Sequence, residues 1–207
     1  SLFGDTIYSW QESEDWTEQE KFYMEQELLG VGVSKHPLQA ISSKAIYSIT
    51  PIGNLSENSY AIILVEVQKI KVIRTKKGEN MAFLQVDDSK KKLDVTLFSD
   101  LYRQVGQEIK EGAFYYIKGK IQSRDGRLQM IAQEIREAVA ERFWIQVKNH
   151  DSDQEMSRIL DQYKGPIPVI IRYEEEQRTI VSPHHFVAKS DELEAKLNGI
   201  VMKTIYR

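Results

Sequence analysis

YAIILVEVQKIKVIRTKKGENMAFLQVDD (60–88), KKLDVTLFSDLYRQVGQEI (91–109) and GAFYYIKGKIQSRDGRLQMIAQEI (112–135) decide the fold. The run Tyr60 to Arg74 is long and β-branched. Under strict alternation Val65, Val67, Lys69, Lys71 and Ile73 share one face, and Glu66, Gln68, Ile70 and Val72 the other. Thr75-Lys-Lys-Gly78 reads as a turn, with Gly78 where a positive φ is needed. Met81 to Val86 is a second strand. Leu93 to Phe98 is a third, where Leu93, Val95 and Leu97 alternate with Asp94 and Thr96. Ser99 or Asp100 is placed to cap a helix reaching about Ile109. Phe114 to Gln122 and Leu128 to Ile135 form a hairpin about Ser123-Arg-Asp-Gly126, whose Asp-Gly is a strong turn signal.

Three strands, a helix, then a closing hairpin is the order of a five-stranded OB-fold barrel. After Ala138 the pattern alternates differently. Arg142 to Val147 is a strand, and Asp151 or Ser152 caps a helix through Tyr163 that Gly165-Pro166 stops. Strands follow at Pro168–Tyr173 and Thr179–Ser182, with Glu174-Glu-Glu176 in the turn region between them. Ser190 caps a helix ending at Asn198-Gly199, and Met202 to Tyr206 is a last strand. The order β-α-β-β-α-β predicts a small α/β sandwich.

Upstream, residues 1–16 show neither period and read as a mobile acidic segment. Thr17 with Glu20 makes a capping-box start for a helix whose C-terminal stop is Gly30. Pro37 enforces a break with a short helix after it, so residues 17–58 read as a helical connector. The divisions are therefore 1–16, 17–58, a barrel over 59–138 and an α/β domain over 139–207.

The 207-residue chain has no cysteine, which excludes disulfides and thiolate metal sites and fits a reducing, cytoplasmic compartment. No apolar run approaches the roughly 20 residues that span a bilayer, so no membrane partner is expected. The start at Ser1 without Met predicts a piece of something longer. A net charge of −3 hides an asymmetry: residues 1–30 carry eight acids against Lys21 alone, whereas 60–138 carry fifteen Lys and Arg against eleven Asp and Glu. Counterion release needs a local cluster of cations rather than a basic whole protein.

That cluster is the strongest functional signal. Lys69, Lys71, Arg74, Lys76 and Lys77 crowd one strand and its turn; Lys118, Lys120, Arg124 and Arg127 crowd another. Cations along a groove track phosphates, and aromatics beside them stack bases. Phe83, Phe98, Tyr115 and Tyr116 are the stacking candidates. A place in the core is the stronger reading for Phe83 and Phe98, and Phe83 is kept as a binding candidate. Lys90-Lys91-Lys92 reads as a solvated loop, and Asp87-Asp88 as an ordinary turn rather than half of a two-metal site. His36 precedes a proline, His150 falls in a loop, and His184-His185 on a strand would face opposite sides; zinc-ligand spacing is absent. Neither a nucleophile elbow nor a phosphate-cradling glycine loop occurs. No catalytic residue, metal or cofactor is expected. Leu2-Phe3 is an apolar pair in an acidic stretch; a short docking motif fits it, but composition alone favours a pair without a role.

LLGVGVSKHPL (28–38) resembles a segment of the alpha subunits of bacterial DNA polymerase III of the DnaE type, which in that family lies just ahead of an OB domain. IRTKKGENMAFLQVDD (73–88), LDVTLFSDLY (93–102) and IKGKIQSRDGRLQMIAQEI (117–135) are similar to the family's barrel, and GPIPVIIRY (165–173) extends the likeness. The resemblance implies a non-catalytic C-terminal part of a replicative polymerase. Its OB domain would contact single-stranded template through Lys71, Arg74, Lys76, Lys77, Lys120 and Arg124. Ser1-Leu2-Phe3 would match the end of a sliding-clamp motif whose leading Gln is missing, and residues 139–207 would correspond to a region that binds the clamp-loader tau subunit in some relatives. The family's catalytic aspartates lie upstream, so Asp87 and Asp88 are not read as catalytic. The competing reading is a protein-docking scaffold whose barrel binds no nucleic acid. An anticodon-reading barrel of a tRNA synthetase would leave the His-Pro segment and the Ser-Leu-Phe start without a place.

Overall fold

The computed structural model describes residues 7–9 and 37–207, which form two compact units. One runs from Pro37 to Val139. The other holds Ala140–Arg207 and strand β1 (Ile7–Ser9). The clamp-like Ser1-Leu2-Phe3, the helix expected from Thr17, His36 and residues 28–36 of the family segment lie outside the described residues.

The first unit opens with helix α1 (Pro37–Ser43) and a 3-10 turn at Ile52–Asn54. Strands β2 (Tyr60–Arg74), β3 (Asn80–Asp87), β4 (Lys92–Leu97), β5 (Phe114–Arg124) and β6 (Arg127–Glu137) close a barrel in the order β2-β3-β4-β6-β5. Only the β4–β6 pair is parallel, which completes the expected OB-fold. Ile63, Val65, Val67, Leu84, Val86, Val95, Leu97, Ile117, Ile121 and Met130 fill the interior. Ile52 and Leu55 from the preceding loop belong to the same core, so residues upstream of 59 pack with the barrel.

Helix α2 (Ser99–Val105) bridges β4 and β5, with Leu101, Tyr102 and Val105 against the core. It is shorter than expected, and no side chain caps it: the N-cap position is Phe98, and Asp100 stands in the first turn. Between β5 and β6, Asp125 and Gly126 have φ of 51° and 75°, the paired left-handed residues of a type I′ hairpin turn. Gly119 sits where β5 shifts register against β6; a Cβ there would meet the Ile131 carbonyl oxygen at 2.3 Å. Only glycine permits that approach.

One irregularity in β2 reassigns its faces. The register against β3 shifts between Val67 and Lys69, the mark of a bulge at Gln68. Up to Val67 the odd positions Ile63, Val65 and Val67 point inward. Beyond it Ile70 and Val72 pair with the inward Leu84 and Ala82, while Lys69 and Lys71 pair with the outward Gln85 and Phe83. The strict alternation read from the sequence, which grouped the lysines with Val65 and Val67, is therefore corrected: one extra residue inverts every face after it. At the bulge β2 leaves β5. Its Val67 exchanges backbone bonds with Gly112 and Ala113, and the Ile70 amide donates to Glu111 Oε1 at 2.8 Å.

The second unit has the expected order. Strand β7 (Phe143–Val147) leads to helix α3 (Asp153–Leu160), then β8 (Lys164–Tyr173), β9 (Arg178–Val187), helix α4 (Asp191–Leu197) and β10 (Lys203–Tyr206). The sheet runs β1-β9-β8-β7-β10, parallel only between β7 and β8. Ile7–Ser9, inside the stretch read as a mobile acidic segment, pairs antiparallel with Arg178–Ile180. Gly165-Pro166 does not stop α3, which ends earlier, but lies within β8. The register shift between Lys164 and Ile167 accommodates a residue that cannot donate to the ladder. Strand β9 runs five residues beyond Ser182, which puts both His184 and His185 on it, one exposed and one half-buried. Ser190 caps α4 as expected, its Oγ accepting from the Leu193 amide at 3.3 Å.

Candidate nucleic-acid interface

The inverted phase of β2 gathers a wall on the outside of the barrel. Register partners on neighbouring strands share a face. Following them from Lys71 on β2 gives Phe83 on β3, Thr96 on β4, Ile131 on β6, Lys120 on β5 and Tyr60 at the start of β2. The adjacent row runs Lys69, Gln85, Asp94, Gln129, Gln122. One row thus offers an aromatic between two cations, and the other an array of amides with one carboxylate.

Two turns bear further charge at the ends of these strands. Between β2 and β3, Lys76 and Lys77 stand exposed in a turn closed by Gly78, whose φ is 82°. Arg74 folds back over it, its Nε donating to the Gly78 carbonyl at 3.0 Å. At the tip of β5–β6, Arg124 and Arg127 face each other across the hairpin, Arg124 lying 4.0 Å from Asp125 Oδ2. In OB-folds the loops at these positions flank the binding face. Lys69, Lys71, Lys76, Lys77, Lys118, Lys120 and Arg127 make no ion pair with another described residue. Lys118 is set apart by its neighbours, which are Ile62 on one side and Glu134 on the other.

The aromatics sort differently from the expectation. Phe83 is half-buried on the outer wall rather than in the core, and Phe98 is 52 % exposed. Tyr115 and Tyr116, read as stacking candidates, are buried at 4 % and 6 % exposure. Tyr115 points into the barrel, where its hydroxyl donates to the Glu108 carbonyl at 3.3 Å and accepts from the Lys110 amide at 2.8 Å. Burial raises its pKa. Tyr116 faces outward but meets Tyr47 edge-on, centroids 4.8 Å apart. Burial pushes the Tyr47 hydroxyl up to about 12. Neither β5 tyrosine is open to a base.

Asp87 and Asp88 build the β3–β4 turn. Asp88 Oδ1 accepts from the amides of Lys90 and Lys91, its Oδ2 from Ile52 at 2.8 Å, and Asp87 Oδ1 from Ser89 at 2.7 Å. In the other unit, His150 places its two ring nitrogens 2.6 Å from Asp153 and 2.6 Å from Glu176. His185 bridges the Ser157 and Ser182 hydroxyls at 2.9 and 2.8 Å. The Asp153 hydrogen bond raises the His150 pKa; burial lowers that of His185. Both tie helix α3 to the sheet. Sequence reading missed Tyr60, Gln85, Gln122, Gln129 and Ile131 as wall residues, because only the pairing register shows that they lie beside Lys69, Lys71 and Phe83.

A closed barrel of this order is an OB-fold, and residues 62–138 match the family model described as an OB-fold nucleic acid binding domain. Over 208 aligned positions the chain is 44% identical to DNA polymerase III subunit alpha of Streptococcus pyogenes serotype M6, covering 100% of this chain and 20% of the relative. The same subunit of Bacillus subtilis is 30% identical over 181 residues, 81% of this chain and 16% of the relative. The chain is a homologue of the C-terminal region of DNA polymerase III subunit alpha, and spans about a fifth of the length of the curated relatives it matches. Among solved structures, a domain of replication protein A from Methanococcus maripaludis matches at TM-score 0.39 and 19% identity, over 45% of this chain and 99% of its own. A replication protein A heterotrimer bound to ssDNA matches at TM-score 0.33 and 15% identity, over 41% of this chain and 61% of its own.

Proposed function

We propose that the barrel holds single-stranded DNA template for a replicative polymerase alpha subunit, while the bond-making chemistry belongs to other parts of that polymerase. The supporting observation is the row Lys71, Phe83, Thr96, Ile131, Lys120, set between the two basic turns. Phosphates lie along Lys69, Lys71, Lys76, Lys77, Lys120, Arg124 and Arg127, and a base stacks on Phe83. Affinity comes from counterion release and stacking, so it carries little sequence preference and falls steeply with salt. Ser1-Leu2-Phe3 contributes to docking on the sliding clamp, and the α/β unit is the surface for the clamp-loader tau subunit.

Titrating fluorescein-labelled oligonucleotides into the chain and into a Lys71/Arg74/Lys76/Lys77 to Ala variant tests the central claim by anisotropy. The variant is expected to bind more weakly, with a salt slope lower by about 0.7 for each phosphate it no longer neutralises. Equal affinity of the two proteins refutes the assignment of this face. Salt-insensitive binding of a protein partner, without oligonucleotide binding, would instead make the barrel a docking scaffold.

A further inference from the structure

Glu79 is out of place in a phosphate-tracking wall. It follows Lys76, Lys77 and Gly78 directly, so its carboxylate stands beside the cations of the β2–β3 turn. A wall built by charge alone would be better without it.

The turn around it is fixed from within. The Thr75 amide donates to the Glu79 carbonyl at 2.7 Å and the Gly78 amide to the Thr75 carbonyl at 2.9 Å. The Glu79 amide donates to Thr75 Oγ1 at 3.2 Å, and Arg74 closes over Gly78. Those bonds keep the turn's shape, and the Arg74–Asn80 pair joins it to the β2–β3 ladder. A second tie, to the helix packed on the core, comes from α2, where Arg103 Nη2 donates to Glu79 Oε1 at 2.9 Å and Nη1 lies 3.6 Å from Asp100 Oδ1. Helix α2 is seated on the core by Leu101, Tyr102 and Val105, so the Arg103 end of the pair moves with the barrel.

We infer that the Glu79–Arg103 pair is a latch that holds the 75–79 turn where Lys76 and Lys77 reach a strand lying across Phe83. Arg103 is a positioning residue, not a phosphate ligand. The inference rests on the single-stranded DNA reading of the wall. A hairpin end that is already ordered loses less freedom when a ligand arrives, and a latch of this kind strengthens binding by that difference. Both partners are exposed, with side-chain accessibilities of 64% and 46%, so the expected effect is modest.

A cycle of Glu79→Gln measured with and without Arg103→Ala decides it, read by anisotropy with a fluorescein-labelled deoxythymidine oligonucleotide at fixed salt. Where Arg103 is present, Glu79→Gln should weaken binding about two- to fivefold, although it removes a negative charge. In the Arg103→Ala background the same change should tighten binding, because Glu79 then only repels phosphate. Tightening in both backgrounds, or no change beside an intact Arg103, overturns the latch. Hydrogen exchange at the Gly78 and Glu79 amides supplies a readout without DNA. It should quicken in Glu79→Gln and in Arg103→Ala alike, and unchanged exchange overturns the latch by itself. If the unmodified chain binds no oligonucleotide, the template reading fails separately, and the exchange rates still decide whether the turn is held.

Discussion

Replacing Phe83 by Ala separates the two forces assigned to the wall. Phe83 lies half-buried between Lys71 and Thr96 on the outer surface, so its ring can stack on a base without leaving its strand. Base–aromatic stacking contributes about 1–3 kcal/mol per base, so Phe83→Ala should raise the oligonucleotide Kd by about 5- to 150-fold. The fold should survive. A fully buried Phe loses about 3–5 kcal/mol on truncation, and a partly buried one on the outer wall loses less than that. The salt dependence gives the sharper test. Phe83→Ala removes no charge, so the slope of log K against log salt should stay as in the unmodified chain. Lys71→Ala should lower that slope by about 0.7. Phe83→Trp should restore affinity, whereas Phe83→Leu should restore thermal stability but not affinity, since it keeps apolar area and lacks a π-face. Anisotropy titrations at several salt concentrations, with circular dichroism melts of each variant, measure all of this. A folded Phe83→Ala variant with unchanged affinity, or one whose loss comes with a lowered salt slope, refutes the stacking role.

Gly119→Ala should destabilise the barrel by about 3 kcal/mol or more in urea unfolding, because the new Cβ meets a backbone carbonyl at 2.3 Å rather than a yielding side chain. Deleting Gln68 leaves Val67 opposite Val86 and Lys69 opposite Gln85 in regular alternation, so no face inverts and only the bend is lost. The deletion should melt cooperatively at a lower midpoint; loss of all cooperative unfolding would contradict the bulge assignment. His150 titrates in the other unit. Its folded-state pKa is raised above the ordinary 6.5, first by the Asp153 hydrogen bond, so its contribution is fully present below pH 6.5. That contribution is lost as pH rises through the folded value, and the thermal midpoint should decline over that window less steeply in His150→Gln than in the unmodified chain. His185, held low by burial, acts in the opposite sense, destabilising as pH falls below 6.5.

The barrel was legible because its signals are local. Each strand carries its own alternation, and Asp125-Gly126 names a type I′ turn wherever it occurs between such runs. The α/β order was legible for the same reason, since Ser190 and Gly199 mark both ends of α4 without reference to anything distant. What escaped depends on pairing. Tyr115 and Tyr116 are adjacent aromatics beside Lys118, and nothing in that string says that one fills the interior and the other is covered by Tyr47. Pro166 looked like a stop because a proline breaks helices, yet a register shift in a strand accommodates it equally well. Phe98 is large and apolar, and hydrophobicity alone could not tell a core position from an exposed one at the start of α2.

The bulge at Gln68 links these observations, because the feature that bends the barrel strand also sets the phase of its cationic outer wall. A sheet of few strands must bend sharply to close, and bulges increase local twist and bend the strand that carries them. Strand β2 spans both sides of that bend. Its first half pairs with β5 and supplies Ile63, Val65 and Val67 to the core; its second half pairs with β3 alone. Had the strand continued in phase, the odd positions would have stayed inward, and Lys69 and Lys71 would have been driven into an apolar interior. The extra residue turns Ile70 onto the core instead, with Val72 on the same face but still exposed, and leaves the two lysines beside Gln85 and Phe83. Lys69 and Lys71 face outward at odd positions because the extra residue precedes them, so the bend of the strand and the phase of its cationic face are set at the same place.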